Sequence, residues 1–305
     1  MTAPFVADAL GPRGRRITRI VSVVSVVVIL GLVALALNRL SDRGQLATAK
    51  WKPFTQWSVD KFFLIGLLTT VRVAAVAMAG AILIGSAMAL ARLSRAAPVR
   101  WLAWLYIEFF RGLPIFLLVL FCALGLPRYG VRLSLFWYLT IGLTVYNSAV
   151  LAEIFRAGIL SLDRGQSGAA YALGLGYWQA MLLVIIPQAA RRMIPAIVSQ
   201  LVTLLKDTSL GSVIAFEELL RRSQINGEFF GNRLQSLFVA AVLYIIVNFS
   251  LSRLARRLEV RQRRRYKAGS IAVTGIEDLA VLQANTEAAV TAGSSVPAAP
   301  AGAVS

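Results

Sequence analysis

Few side chains in this chain can do chemistry, and most of them stand where a polar group is costly. Lys206, Asp207, Thr208 and Ser209 interrupt a hydrophobic run at 193–216, and Asn147 lies inside an uncharged run at 133–152. An ionisable group at mid-bilayer costs at least ~2.5–3.5 kcal/mol on insertion scales, so each needs a reason. The Thr208 and Ser209 hydroxyls can satisfy a distorted backbone. Lys206 and Asn147 suit a polar cavity through which a zwitterion or anion passes; the alternative is that Lys206 and Asp207 neutralise each other. Arg72, the one charge in 62–91, either lines the same path or snorkels to an interface. Glu108 with Arg111 and Glu153 with Arg156 are i,i+3 pairs suited to mutual neutralisation. Gly112 and Pro114 beside the first pair mark a break in the helix, which could instead form part of a gate.

The same inventory excludes much. Histidine is absent, removing imidazole acid–base catalysis and the commonest metal ligand. Cys122 is the only cysteine, so no internal disulfide forms, and its apolar surroundings make it a packing residue. None of the five lysines follows the glycine spacing of a phosphate-binding loop, so ATP hydrolysis is not expected in this chain. With no metal cluster and no paired carboxylates on one face, neither an enzyme nor a cofactor is expected.

The positions of these residues follow from the spans around them. The chain has 305 residues, 58% of them hydrophobic, which is a membrane composition. A helix needs roughly 20 apolar residues to cross the hydrocarbon. Six segments qualify, at 20–37, 62–91, 101–126, 133–152, 193–216 and 234–252. The first resembles a signal peptide, with Ala34-Leu35-Ala36 as a cleavage site, but its apolar run is too long and an uncleaved helix is expected. With the N-terminus inside, the cytoplasmic segments 1–19, 92–100, 156–192 and 253–267 carry 19 Lys and Arg against 10 outside. Both termini are therefore expected in the cytoplasm. The same arrangement accounts for most of the +18 net charge without nucleic acid. Residues 268–305, rich in Ala, Gly, Ser and Pro, read as a disordered cytoplasmic tail.

The segment 160–187 also falls inside. Asp163 followed by Gln166 has capping-box spacing, so a short helix is expected to begin there, pass through Ala169 and Ala170, and break near Gly174 or Gly176. A second helical piece is expected to end before Pro187. Its small residues suit close docking in a partner's groove, or packing on the chain's own bundle.

This segment resembles the EAA signature of ATP-binding-cassette importer permeases: Glu-Ala-Ala, three residues, Gly, nine residues, Ile-x-Leu-Pro. Ala169-Ala170, Gly174, Val184 and Ile186-Pro187 keep that spacing, with Gly168 in place of the glutamate. Phe110-Arg111-Gly112-Leu113-Pro114, Tyr146-Asn147-Ser148-Ala149, Arg156-Ala157-Gly158-Ile159, Pro187-Gln188-Ala189 and Lys206-Asp207-Thr208-Ser209-Leu210 resemble the polar amino acid subgroup of the same family. The match covers roughly 62–254 and is most similar to actinobacterial glutamate-uptake permeases. The resemblance implies an all-α protein of six transmembrane helices with a type I permease core at 62–254 and an additional helix at 20–37. It implies glutamate or another polar amino acid (glutamine, cystine, arginine, an opine) as solute, moved by alternating access. It also implies cytosolic ATPase subunits on a coupling helix marked by Gln166, Gly168, Ala169, Ala170, Gly174 and Pro187. A second, different permease subunit, an extracellular solute-binding protein and surrounding lipid complete the expected partners. An ATP-independent carrier or channel is the other class compatible with six spans.

Overall fold

The structure, a computed structural model, describes residues 11–257 and residue 260. The expected tail at 268–305 and the first ten residues of the basic N-terminus lie outside the described residues. The helices, in chain order, are α1 (Pro12–Asp42), α2 (Trp57–Arg92), α3 (Ala97–Gly112), α4 (Ile115–Leu120), α5 (Leu135–Leu160), α6 (Arg164–Ala172), α7 (Tyr177–Gln179), α8 (Ile186–Asp207), α9 (Leu219–Phe229) and α10 (Arg233–Arg257). No strand occurs among the described residues.

Five helical stretches are long and apolar enough to cross a membrane: α1, α2, α5, a continuous Tyr177–Ile214 stretch containing α7 and α8, and α10. The sixth expected span, at 101–126, is not straight. Ala97–Gly112 and Ile115–Tyr129 meet at 99° and make one span only if counted together. The cause is Pro114, which holds Leu113 in extended backbone, φ −79° and ψ 136°, and so ends α3.

By its own contacts the chain divides into two compact units. The first comprises residues up to Thr70 together with Ala215–Leu243; the second comprises Val71–Ile214 together with the residues from Tyr244 onward. In the first unit the apolar side chains of α1 are exposed along the whole helix, as suits a helix bathed in lipid. The remainder is tied by polar contacts. Lys50 Nζ donates to the Gly231 carbonyl (3.0 Å), Asn232 Nδ2 donates to the Lys50 carbonyl (3.1 Å), and Gln235 donates to the Gln45 carbonyl. Buried Glu218 caps α9, its carboxylate accepting from the Leu220 and Arg221 amides at 2.9 and 2.8 Å.

The second unit is built around α5. Leu139, Leu143, Ala149, Leu151 and Ala152 are fully buried, as are Asn147 and Ser148. The α2 backbone comes close enough to α5 that a side chain at Gly85 would place its Cβ 2.8 Å from the Ser148 carbonyl oxygen, and one at Gly80 would reach 2.9 Å from the Thr144 methyl. Small residues of this kind let membrane helices gain packing energy where lipid gives no hydrophobic drive. Tyr106 of α3 joins α5 through a 2.7 Å hydrogen bond to Ser148. Glu153 and Arg156 pair at 3.1 Å as their spacing implies, whereas Glu108 and Arg111 reach only 4.0 Å with both side chains about half exposed.

Because the Gly85 contact is with backbone, Gly85→Leu is expected to cost about 1–3 kcal/mol. It should lower the thermal midpoint of the detergent-purified protein. Gly31→Leu, at an α1 position where a Cβ would meet nothing within 4 Å, serves as the control for helix propensity alone.

Candidate functional site

Two features stand apart from the packed core: the α6–α7 segment and one face of α8. In the first, Asp163 Oδ1 accepts from the Gly165 amide (2.8 Å) and starts α6 as its spacing predicts. Gln166 does not complete the capping box; its Oε1 instead accepts from Gln188 Nε2 of α8 at 3.1 Å. At the other end, the Leu175 amide donates to the Ala170 carbonyl (3.2 Å) and the Gly174 amide to the Tyr171 carbonyl (2.9 Å). This paired closure needs a left-handed residue, and Gly174 supplies it with φ +80°. A glycine is therefore favoured at 174 by local geometry alone. Ala170 is buried and Ala169 exposed, while Leu173 projects with 83% of its surface free.

Pro187 does not end the helix before it, contrary to the sequence-based expectation. It sits in the first turn of α8, and the chain runs into it through a widened π turn, Ala180–Ile185. A proline lacks its amide hydrogen and crowds the carbonyl four residues earlier. The wider turn removes that conflict and leaves the helix continuous.

The face of α8 is the sharper finding. Arg192, Ala196, Ser199, Thr203 and Lys206 are exposed at spacings of four, three, four and three, so they form one narrow stripe. Every residue in it is small, hydroxylated or cationic. A lipid-facing stripe would carry residues such as the exposed Phe238, Ile245, Ile246 and Phe249 of α10. Gln200, half-buried beside the stripe, donates from Nε2 to Asn147 Oδ1 at 2.7 Å, and Asn147 Nδ2 donates to the Leu143 carbonyl at 2.8 Å. Asn147 thus stands fully buried behind the stripe, joined to its edge through Gln200.

The other expected cavity residues divide. Lys206 lies on the stripe. Thr208 is buried, and its hydroxyl donates to the Leu205 carbonyl (2.7 Å) where α8 tightens into the 3-10 turn Thr208–Ile214. Ser209 is half-buried in that turn, its carbonyl accepting from the Ser212 hydroxyl (2.8 Å). Arg72 is exposed on α2, and among the described residues no hydrogen bond or ion pair joins it to the stripe. Ser199, Thr203 and Gln200 were not singled out from the sequence. Their signal was available as a four–three polar repeat within an apolar run. No group of three or more His, Cys, Asp and Glu among the described residues is placed to hold a metal.

Membrane-length helices, one of them carrying an exposed polar stripe, suit a protein that passes polar solutes. The chain belongs to the family of binding-protein-dependent transport system inner membrane components, which matches residues 81–264. The glutamate transport system permease protein GluD of Corynebacterium glutamicum is 39% identical over 230 residues, covering 73% of this chain and 84% of that protein. A probable glutamine ABC transporter permease protein of Bacillus subtilis is 41% identical over 204 residues, covering 66% and 94%. The crystal structure of an amino acid ABC transporter superposes with a TM-score of 0.64 at 31% identity, covering 69% of this chain and 97% of that one. The fold is thus that of a type I importer permease, and ATP hydrolysis belongs to a separate subunit. Membership implies ATPase and solute-binding partners, a second permease, and a place in the plasma membrane.

Gly168, where the family signature has glutamate, has nothing within 4 Å of the position a Cβ would take. Gly168→Glu is therefore expected to fold, and to gain about 0.5–1 kcal/mol from losing a mid-helix glycine. Co-purification of the ATPase subunit, measured against salt, reports whether the restored carboxylate strengthens docking. Gln200→Leu leaves Asn147 Oδ1 buried without its donor and is expected to cost about 0.6–1.7 kcal/mol. A thermal melt in detergent measures that loss, and the Asn147→Leu, Gln200→Leu pair should recover part of it.

Proposed function

We propose that this permease carries a polar amino acid, glutamate first, into the cell by alternating access. The observation that carries the reading is the exposed polar stripe on α8, set in a chain whose relatives include a glutamate permease. A solute with charged carboxylate and ammonium groups needs replacement partners in the membrane, and Ser199, Thr203 and Lys206 offer hydroxyls and a cation in one line. Asn147, through Gln200, fixes the rotation of that line against α5. Thr208 and Ser209 shape the turn that ends it, and Arg72 contributes charge from α2. Release requires the site to bind more weakly facing in than facing out, since equal affinity would move nothing.

In this reading α6 is the coupling helix. Gln166, Gly168, Ala169, Ala170 and Gly174 form the docking surface for the ATPase, and Pro187 begins the helix that conveys the movement. Both termini lie in the cytoplasm, in keeping with the 19 to 10 distribution of Lys and Arg. The solute-binding protein meets the opposite face, and the second permease is a different chain, so the pathway forms between two non-identical subunits.

Uptake of radiolabelled glutamate in a strain lacking the gene, with competition by unlabelled amino acids, tests the solute. Uptake should fall to background on deletion, and glutamate should compete best; loss of glutamine or arginine uptake alone would reassign the substrate. Lys206→Ala in an assembled transporter is expected to lower uptake by about tenfold or more, corresponding to one lost charge-assisted contact of ~1.5–3 kcal/mol. Parental uptake in that variant would remove Lys206 from the pathway. Gly174→Asp, which forces a side chain onto the left-handed position, should abolish ATPase co-purification.

A further inference from the structure

Three side-chain contacts help to hold the α6–α7 segment besides its covalent ends. Two of them tie it to the helices it connects: Arg192 Nη1 donates to the Ser161 carbonyl at 2.8 Å, and Gln188 donates to Gln166. The third reaches 84 residues back along the chain. The Tyr177 hydroxyl donates to the Leu93 carbonyl at 3.4 Å, and the Arg95 guanidinium lies 4.9 Å from the centre of the Tyr177 ring.

The geometry of this contact is specific. Leu93 follows the last residue of α2, where helix carbonyls have no intrahelical donor, so the phenol fills a vacancy that the helix end creates. Arg95 sits beside the same terminus, where the helix dipole favours a cation, and its charge also attracts the face of the ring. The turn itself is tightened by the Ala96 amide donating to Ser94 Oγ (3.2 Å) and by Arg100 donating to the Ser94 carbonyl (3.3 Å). Tyr177 is the first residue of α7, between the Gly174 turn and the π turn that leads into α8. It therefore lies on the covalent path from α6 to α8, alongside the direct tie of Gln188 to Gln166.

We propose that Tyr177, seated by Arg95, is a positioning residue for coupling: it hands movement of the docking helix to the α2–α3 turn as well as to α8. The proposal rests on α6 being the ATPase docking helix. Without the link, α6 moves with α5 and α8 only, and α2 and α3, which meet α5 at Thr144 and Ser148, receive the movement only through α5. A single long hydrogen bond and one exposed cation–π contact make a link that can break and reform within a transport cycle.

The test uses the complete transporter, with its ATPase and binding protein, in proteoliposomes, and reads solute moved per ATP hydrolysed. Tyr177→Ala and Arg95→Gln are each expected to lower this ratio about fivefold or more, the lower end of ordinary coupling energies. Their double variant should be no worse than Tyr177→Ala, because both break one link. Tyr177→Phe keeps the ring and the fold and should fall between Tyr177→Ala and the parent. Co-purification of the ATPase and of the second permease should be unchanged throughout. A parental ratio in Tyr177→Phe and Arg95→Gln with intact co-purification overturns the proposal, and so do additive losses in the double variant. Failure of the docking assignment is read separately, as Gly174→Asp retaining both ATPase and uptake.

Discussion

Inside a bilayer no water waits to replace a lost hydrogen bond, and the second unit is organised around that constraint at one residue. Asn147 is fully buried in the most enclosed helix, and both ends of its amide are used, one by its own helix at Leu143 and the other by Gln200 of α8. An amide in that position fixes which side of α8 turns toward α5. Once that side is fixed, the flank next to it is fixed too, and it is there that Ser199, Thr203 and Lys206 emerge. The same economy recurs at Ser148, whose hydroxyl meets Tyr106 of α3. The contacts at Gly80 and Gly85 bring α2 close enough for the Thr144 hydroxyl of α5 to donate to the Ala77 carbonyl at 3.4 Å.

The α6–α7 segment obeys a different logic. It lies among exposed residues, so its shape comes from local hydrogen bonding rather than burial. Asp163 starts it, Gly174 ends it, and the side chains between are small. Such a helix has little packing of its own, so its position must be imposed by ties to its neighbours. The contacts of Gln188, Arg192 and Tyr177 provide those ties, and none of the three side chains belongs to α6 itself.

Much of this was legible in the residues. The spans followed from apolar length, and the short helix α6 from Asp163, the alanines and Gly174, because capping and left-handed turns depend on neighbours in sequence. The bend at Leu113 was signalled by Pro114 but not its 99° extent, which is set by what the two halves pack against. Pro187 misled for a related reason: a proline rule assumes a regular α-helix before it, and the π turn removes that assumption. Asn147 was found as a polar residue in a span, yet its partner lies 53 residues away, and no local pattern pairs them. Tyr177 and Leu93 were invisible for the same reason.

The π turn at Ala180–Ile185 also sets a phase. An α-helix advances about 100° per residue, so the extra residue accommodated in the wide turn rotates everything after it by that amount relative to what came before. The direction in which the stripe points is thus written jointly by Gly174, which aims α7, and by the width of the turn that follows. Loss of a single residue there would leave the composition of α8 untouched and swing Lys206 about a quarter of a turn around the helix. The orientation of the whole polar face is, in that sense, a matter of counting.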